Sequence, residues 1–307
     1  MSPTRLQETA DKLEQAAIQL AWRQWRVIGG SAVSDDPPAT SIVDPEALVL
    51  ASLALANREH RLTDLLYGWM EKSAPFLSVQ RLKNLKRRYP AETRNQVSEF
   101  ARRARNVAKH PRWASLADQE DAGLPDIVLP EVSRATSPPK HSAPGLMLAL
   151  RMAMGVGTKS DALAVVLGQT RSLTVRDVVE GTAYNPVSVR SALEDLSGGG
   201  FLRITDRKPL KFGAPLKEWR ALLALDKLPR WMPWHDWYAF AFSFLSWARS
   251  AAERNVSDYA FQVRVRELLA HHELLTKWVI PDSNFVDART SGDDLIAALT
   301  VWPHENA

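Results

Sequence analysis

Apolar residues recur at three- and four-residue intervals along most of the chain. From Leu6 to Val27, Leu13, Ala16, Ala17, Leu20 and Ala21 fall on one side, with Trp22 and Trp25 beyond them, which predicts a long amphipathic helix. Gly29-Gly30 stops it, and a loop with Pro37-Pro38 follows. Pro45 opens a second helix through Val49, Leu53 and Ala56. Further helices are expected near Leu62–Ser73 and Ser78–Arg88 and, beyond the break at Tyr89-Pro90, over Ala91–Ala108. No alternating strand pattern precedes residue 115. Residues 1–117 are therefore expected to form an all-helical domain.

Pro125, Pro130, Pro138, Pro139 and Pro144 mark 118–145 as a Pro-rich linker. A second folded unit is expected over 146–228 and a Trp-rich helical C-terminal domain over 229–307. The latter should hold two long helices, Trp234–Arg254 and Ser257–Trp278, with Ser257 as a cap and the final residues unassigned.

The pattern changes character between residues 159 and 214. Lys159–Gln169 predicts a helix with Leu163, Val166 and Leu167 inside. Thr174 caps a short second helix carrying Val175, Val178 and Val179. Gly181-Thr182-Ala183-Tyr184 reads as a turn. Asn185 as N-cap and Pro186 at the first helical position then open a third helix over 185–197. Val189, Ala192, Leu193 and Leu196 form a narrow buried stripe, which leaves Ser188, Arg190, Ser191 and Asp195 on the other side. Gly198-Gly199-Gly200 reverses the chain. Phe201–Ile204 and Leu210–Phe212 are expected as two short strands around a turn with Arg207 and Lys208, a basic hairpin over 203–212.

The run from Leu173 to Phe212, with SVRSALEDLSGGGFLRI at Ser188–Ile204, resembles bacterial winged helix-turn-helix proteins of the MarR or ArsR type. That resemblance implies a recognition helix, a tight turn and a first wing strand, and hence double-stranded DNA as partner. Ser188, Arg190 and Ser191 would face bases, Tyr184 and Asn185 would stand at the helix entrance, and Arg207, Lys208 and Lys211 would hold phosphates. The fold class expected is thus mainly α: a helical N-terminal domain, a central winged helix and a helical C-terminal region.

Charge adds a second candidate surface. The net charge is +4, but Arg81–Arg112 holds eleven basic residues against Glu92 and Glu99, so the remainder of the chain is acidic. Arg81, Lys83, Arg87, Arg88, Arg102 and Arg105 are its candidate phosphate contacts. The helices Leu62–Ser73 and Ser78–Arg88 could form another helix-turn-helix with Ser78, Gln80, Arg81 and Asn84 outermost.

Zero cysteines suit a reducing, cytoplasmic setting and exclude thiolate metal sites and thiol nucleophiles. Glu8, Asp11 and Glu14 interrupt the N-terminus, which reads as neither signal nor transit peptide. Trp231–Ala252 carries His235, Asp236 and Arg249 and is too polar and short to span a bilayer, so no membrane association is expected. Gly155–Ser160 lacks the glycine before lysine that a phosphate loop needs, and Thr158 or Ser160 reads as a helix cap. Asp35-Asp36 are adjacent and precede prolines, unlike the alternating carboxylates of a nucleotidyltransferase. His271-His272 point about 100° apart and cannot chelate together.

No cofactor, metal or catalytic set is expected. The reading is a DNA-binding transcriptional regulator, not an enzyme, with a homodimer or a protein partner as further expectations. The alternative is an interaction protein, an antitoxin or assembly adaptor, prompted by Trp231, Trp234, Trp237 and Trp247 and the aromatic residues among them.

Overall fold

The computed structural model describes residues 3–30, 37–108, 111–117, 142–252, 256–279 and 291–307. Most of the expected linker, Lys109 and Asp35-Asp36 lie outside the described residues. The chain is mainly helical with one three-stranded antiparallel sheet.

Five helices form the N-terminal half: α1 (Pro3–Val27), α2 (Pro45–Ala54), α3 (His60–Ser73), α4 (Val79–Lys86) and α5 (Ala91–Ala108). Helix α2 is apolar on every side apart from Glu46 and Ser52, and its residues 45–53 are buried. Asp44 caps it by accepting from the Ala47 N–H. Then come α6 (Leu146–Met154), α7 (Thr158–Leu167), strand β1 (Leu173–Thr174), α8 (Val175–Thr182), α9 (Pro186–Gly198), β2 (Arg203–Arg207), β3 (Leu210–Gly213) and α10 (Leu216–Leu222). Helices α11 (Trp234–Ala252), α12 (Asp258–Ala270) and α13 (Gly292–Asn306) complete the fold. The unassigned C-terminal stretch thus contains a helix, capped by Ser291.

The segments read as separate domains, 1–117 and 229–307, share one hydrophobic core. Helix α11 packs on α1 and α2, and α13 packs on α1. The reason is pairing of apolar faces. The α1 stripe of Leu13, Ala17 and Leu20 meets α11, whose Trp237, Tyr238, Phe240 and Phe244 are fully buried. Ring hydrogens find partners there: Trp237 Nε1 donates to the Leu299 carbonyl at 2.9 Å, and Trp25 Nε1 donates to Ser52 Oγ at 2.9 Å. The aromatic residues that prompted the adaptor reading therefore belong mostly to this core.

The segment from α6 to α10, with its three-stranded sheet, has its own core, built from Leu163, Val166, Val178, Val189, Leu193, Leu196 and Phe212. Trp231 belongs to it rather than to the helical body. It approaches Gly168 so closely that a Cβ there would lie 2.5 Å from both Trp231 Cβ and its backbone nitrogen. The Trp231 N–H donates to the Gly168 carbonyl at 2.9 Å.

Candidate nucleic-acid interface

The expected order of helices and hairpin is present, with one strand that the pattern hid. Leu173 and Thr174 pair with Phe212 and Lys211, giving the sheet order β1-β3-β2. Two residues are too few to show alternation. Thr174 serves at once as the end of β1 and the N-cap of α8, in a capping box with Asp177. Strand β2 begins two residues later than expected and runs to Arg207, so Thr205 and Asp206 are strand residues beside a bulge, not turn.

Helix α9 starts as its sequence requires. Asn185 Oδ1 accepts from the Ser188 N–H at 2.8 Å, and Pro186 occupies the first turn, where its missing N–H costs nothing. Val189, Ala192, Leu193 and Leu196 are buried, and Arg190 and Ser191 are exposed, with Ser188 half-buried. The acids on this face are matched. Arg190 lies 3.9 Å from Glu194 and Lys159 lies 2.9 Å from Asp195, both half-exposed pairs that are weak in water. On the hairpin Arg207 and Lys208 are exposed, while Lys211 faces Asp206 at 3.5 Å. Val187, which the sequence reading passed over, is 79% exposed in the first turn of α9. Its signal was an apolar residue outside the buried stripe.

Two expected contact residues are corrected. Tyr184 is only 7% exposed. Its hydroxyl donates to Asp161 at 3.0 Å and so must accept from Ser78 Oγ at 2.7 Å. Arg81 is fully buried. Its guanidinium donates to Asp44, at 2.6 and 3.0 Å, and to Glu46, and its Nε–H reaches the Thr182 carbonyl at 2.8 Å. Ser78 is buried as well, so α4 presents an inward face where a second recognition helix needs an outward one. Its Asn84 donates to the carbonyl of Ala183, the left-handed residue (φ 58°) that ends α8. The side chains of α4 thus hold the bend between α8 and α9 to the body.

Around Arg81 lies a network of charges that is almost wholly buried. Arg151, also buried, spans Glu46 and Asp161 with paired bonds of 2.7–2.8 Å. The Ser78 N–H donates to Glu46 at 2.7 Å. Burial by itself would pull the Arg81 and Arg151 guanidiniums down. Asp44 and Glu46 outweigh it at Arg81, and Asp161 and Glu46 at Arg151, so both lie above the usual arginine value. Asp44 is held far below the carboxylate range, its burial overridden by Arg81 and by His235 at 3.6 Å. Burial, reinforced by the Asp161 charge, pushes the Tyr184 phenol up.

The remaining residues of the basic segment are dispersed over α4, the turn that follows it and α5. Arg88 pairs with the buried Asp236, Arg87 and Arg105 are exposed, and Lys83 and Arg102 are half-buried. Gly155–Ser160 leads into α7 with Gly157 at the cap, and Ser160 Oγ folds back onto the Gly155 and Gly157 carbonyls in place of capping.

No family model, curated protein or solved structure matches this chain. Among the described residues no helix is long and apolar enough to cross a membrane, and no cluster of three or more His, Asp or Glu is arranged to hold a metal ion.

Proposed function

We propose that this protein binds duplex DNA with α9 and the β2–β3 hairpin and acts in the cytoplasm as a transcriptional regulator. The observation that carries the reading is the two-sidedness of α9. Its stripe of Val189, Ala192, Leu193 and Leu196 is anchored in the core, while Val187, Arg190 and Ser191 remain exposed beside Ser188. The first half of that face has hydroxyl and guanidinium donors and no carboxylate, the composition that base edges and phosphates accept. Arg207 and Lys208 at the hairpin tip suit the backbone phosphates next to an inserted helix. The clamp from α4 fixes the bend ahead of α9, so the helix would be presented already oriented.

Selection of bound sequences from a random duplex pool at near-physiological salt tests the proposal. A consensus should emerge, palindromic if two copies bind symmetrically. Arg190→Ala should weaken binding to the selected site by about 1–3 kcal/mol while leaving bulk-DNA binding largely intact. Absence of any enriched sequence, or unchanged affinity of that variant, would refute the reading.

A further inference from the structure

Two surface grooves on this molecule meet at one residue. The first runs between the Gly155–Ser160 loop and the exposed face of α9, with Lys159 on one wall and Ser188 and Ser191 on the other. The second runs between the start of α4 and the Pro111–Ser115 turn, with Gln80 and Lys83 on its wall. Val156 lines both, so the two grooves are neighbours on either side of it, one at the α9 face and one on the helical body, and together they mark out a trough across the surface. Among the described residues neither groove is lined by a carboxylate. Lys159 is matched by Asp195, but Lys83 has no ion-pair partner among the described residues. From Gln80 and Lys83 on the groove wall the polar stripe continues, at i+7, to the exposed Arg87 at the C-cap of α4.

We infer that the duplex engaged by α9 extends along this trough, where Lys159 and Lys83 neutralise phosphates flanking the bases that α9 reads. The inference rests on the DNA reading of α9 and deepens it. The basic part of α4 becomes an extension of the α9 site instead of a separate one. Asp195 tethers Lys159 only by a surface pair, which a phosphate can replace. Lys83 is a half-buried residue whose ammonium sits on a flexible stem, suited to a phosphate as a point charge and carrying no base preference.

The test compares two duplexes in titrations of the full chain over a range of salt. One holds only the sequence selected by α9, and the other adds about ten base pairs of arbitrary sequence on each side. The expectation is tighter binding of the longer duplex by wild type, with a log–log salt slope steeper by about one unit per added phosphate contact. Lys83→Gln and Lys159→Gln should each remove about one unit on the longer duplex, and Lys83→Gln should leave the short duplex unaffected. Both side chains reach solvent, so circular dichroism should be unchanged. Equal slopes for wild type and the double variant on the longer duplex would overturn the trough, even with Arg190→Ala still weakening binding and the α9 reading intact. Failure of wild type to bind any selected duplex would overturn both.

Discussion

Arg81 donates its Nε proton to the carbonyl of Thr182, 2.8 Å away and 101 residues later in the chain. One guanidinium thereby joins the cap of α2, through Asp44, to the bend between α8 and α9. A buried charge in this position is a fastening whose value depends on every partner being present.

Arg81→Ala should destabilise the fold by about 3–5 kcal/mol, because it leaves Asp44 and Glu46 short of a cation and the Thr182 carbonyl without its donor. Urea denaturation measures this directly. A loss under about 1 kcal/mol would mean that water reaches the network.

Stability should fall at both ends of the pH range. The folded-state value of Asp44 lies below its unfolded value of 3.8, so its contribution is present above that pH and is lost as pH drops below it. Four tyrosines shift the other way. Burial raises Tyr67 to about 12 and raises Tyr89, Tyr184 and Tyr238 as well. Their contribution is complete below the unfolded value of 10.0 and declines as pH climbs past it. Ultraviolet titration should show these four ionising only as the fold is lost. Reversible ionisation of all of them in folded protein, judged by unchanged circular dichroism, would contradict the burial described.

Gly168→Ala should cost about 1–3 kcal/mol, since the new methyl would overlap Trp231 and lie 2.8 Å from Ile42 Cδ1. The Trp231 contact is with backbone and Cβ, which cannot swing aside. A melting curve that matches wild type would show that the strand of chain before α11 can shift.

Val187 offers the most specific readout of the α9 reading. An apolar side chain in the first turn of a groove-inserted helix suits a thymine methyl. Replacing the contacted thymine by uracil should weaken wild-type binding about 4-fold, the worth of one buried carbon at ~0.8 kcal/mol, and should not affect Val187→Ser. An equal response of the two proteins at every thymine of the site would exclude that contact.

Much of the local structure was legible in the amino-acid order, because it rests on neighbours three or four residues apart. Asn185 and Pro186 start α9, Thr174 starts α8, Ser257 starts α12, and the Val189–Leu196 stripe tells the inside of α9 from its outside. Periodicity also located the β2–β3 hairpin, though not the two-residue β1, which exists only by pairing with β3. What the order could not convey is which charges meet. Arg81 looks like one more cation in a basic run, and its partners Asp44, Glu46 and Thr182 lie 35 to 101 residues away. Tyr184 likewise finds its hydroxyl partners, Ser78 at the cap of α4 and Asp161 on α7, far away in the chain. The union of 1–117 with 229–307 is of the same kind. Each half has apolar faces that local pattern can locate, but only packing decides whose face covers whose.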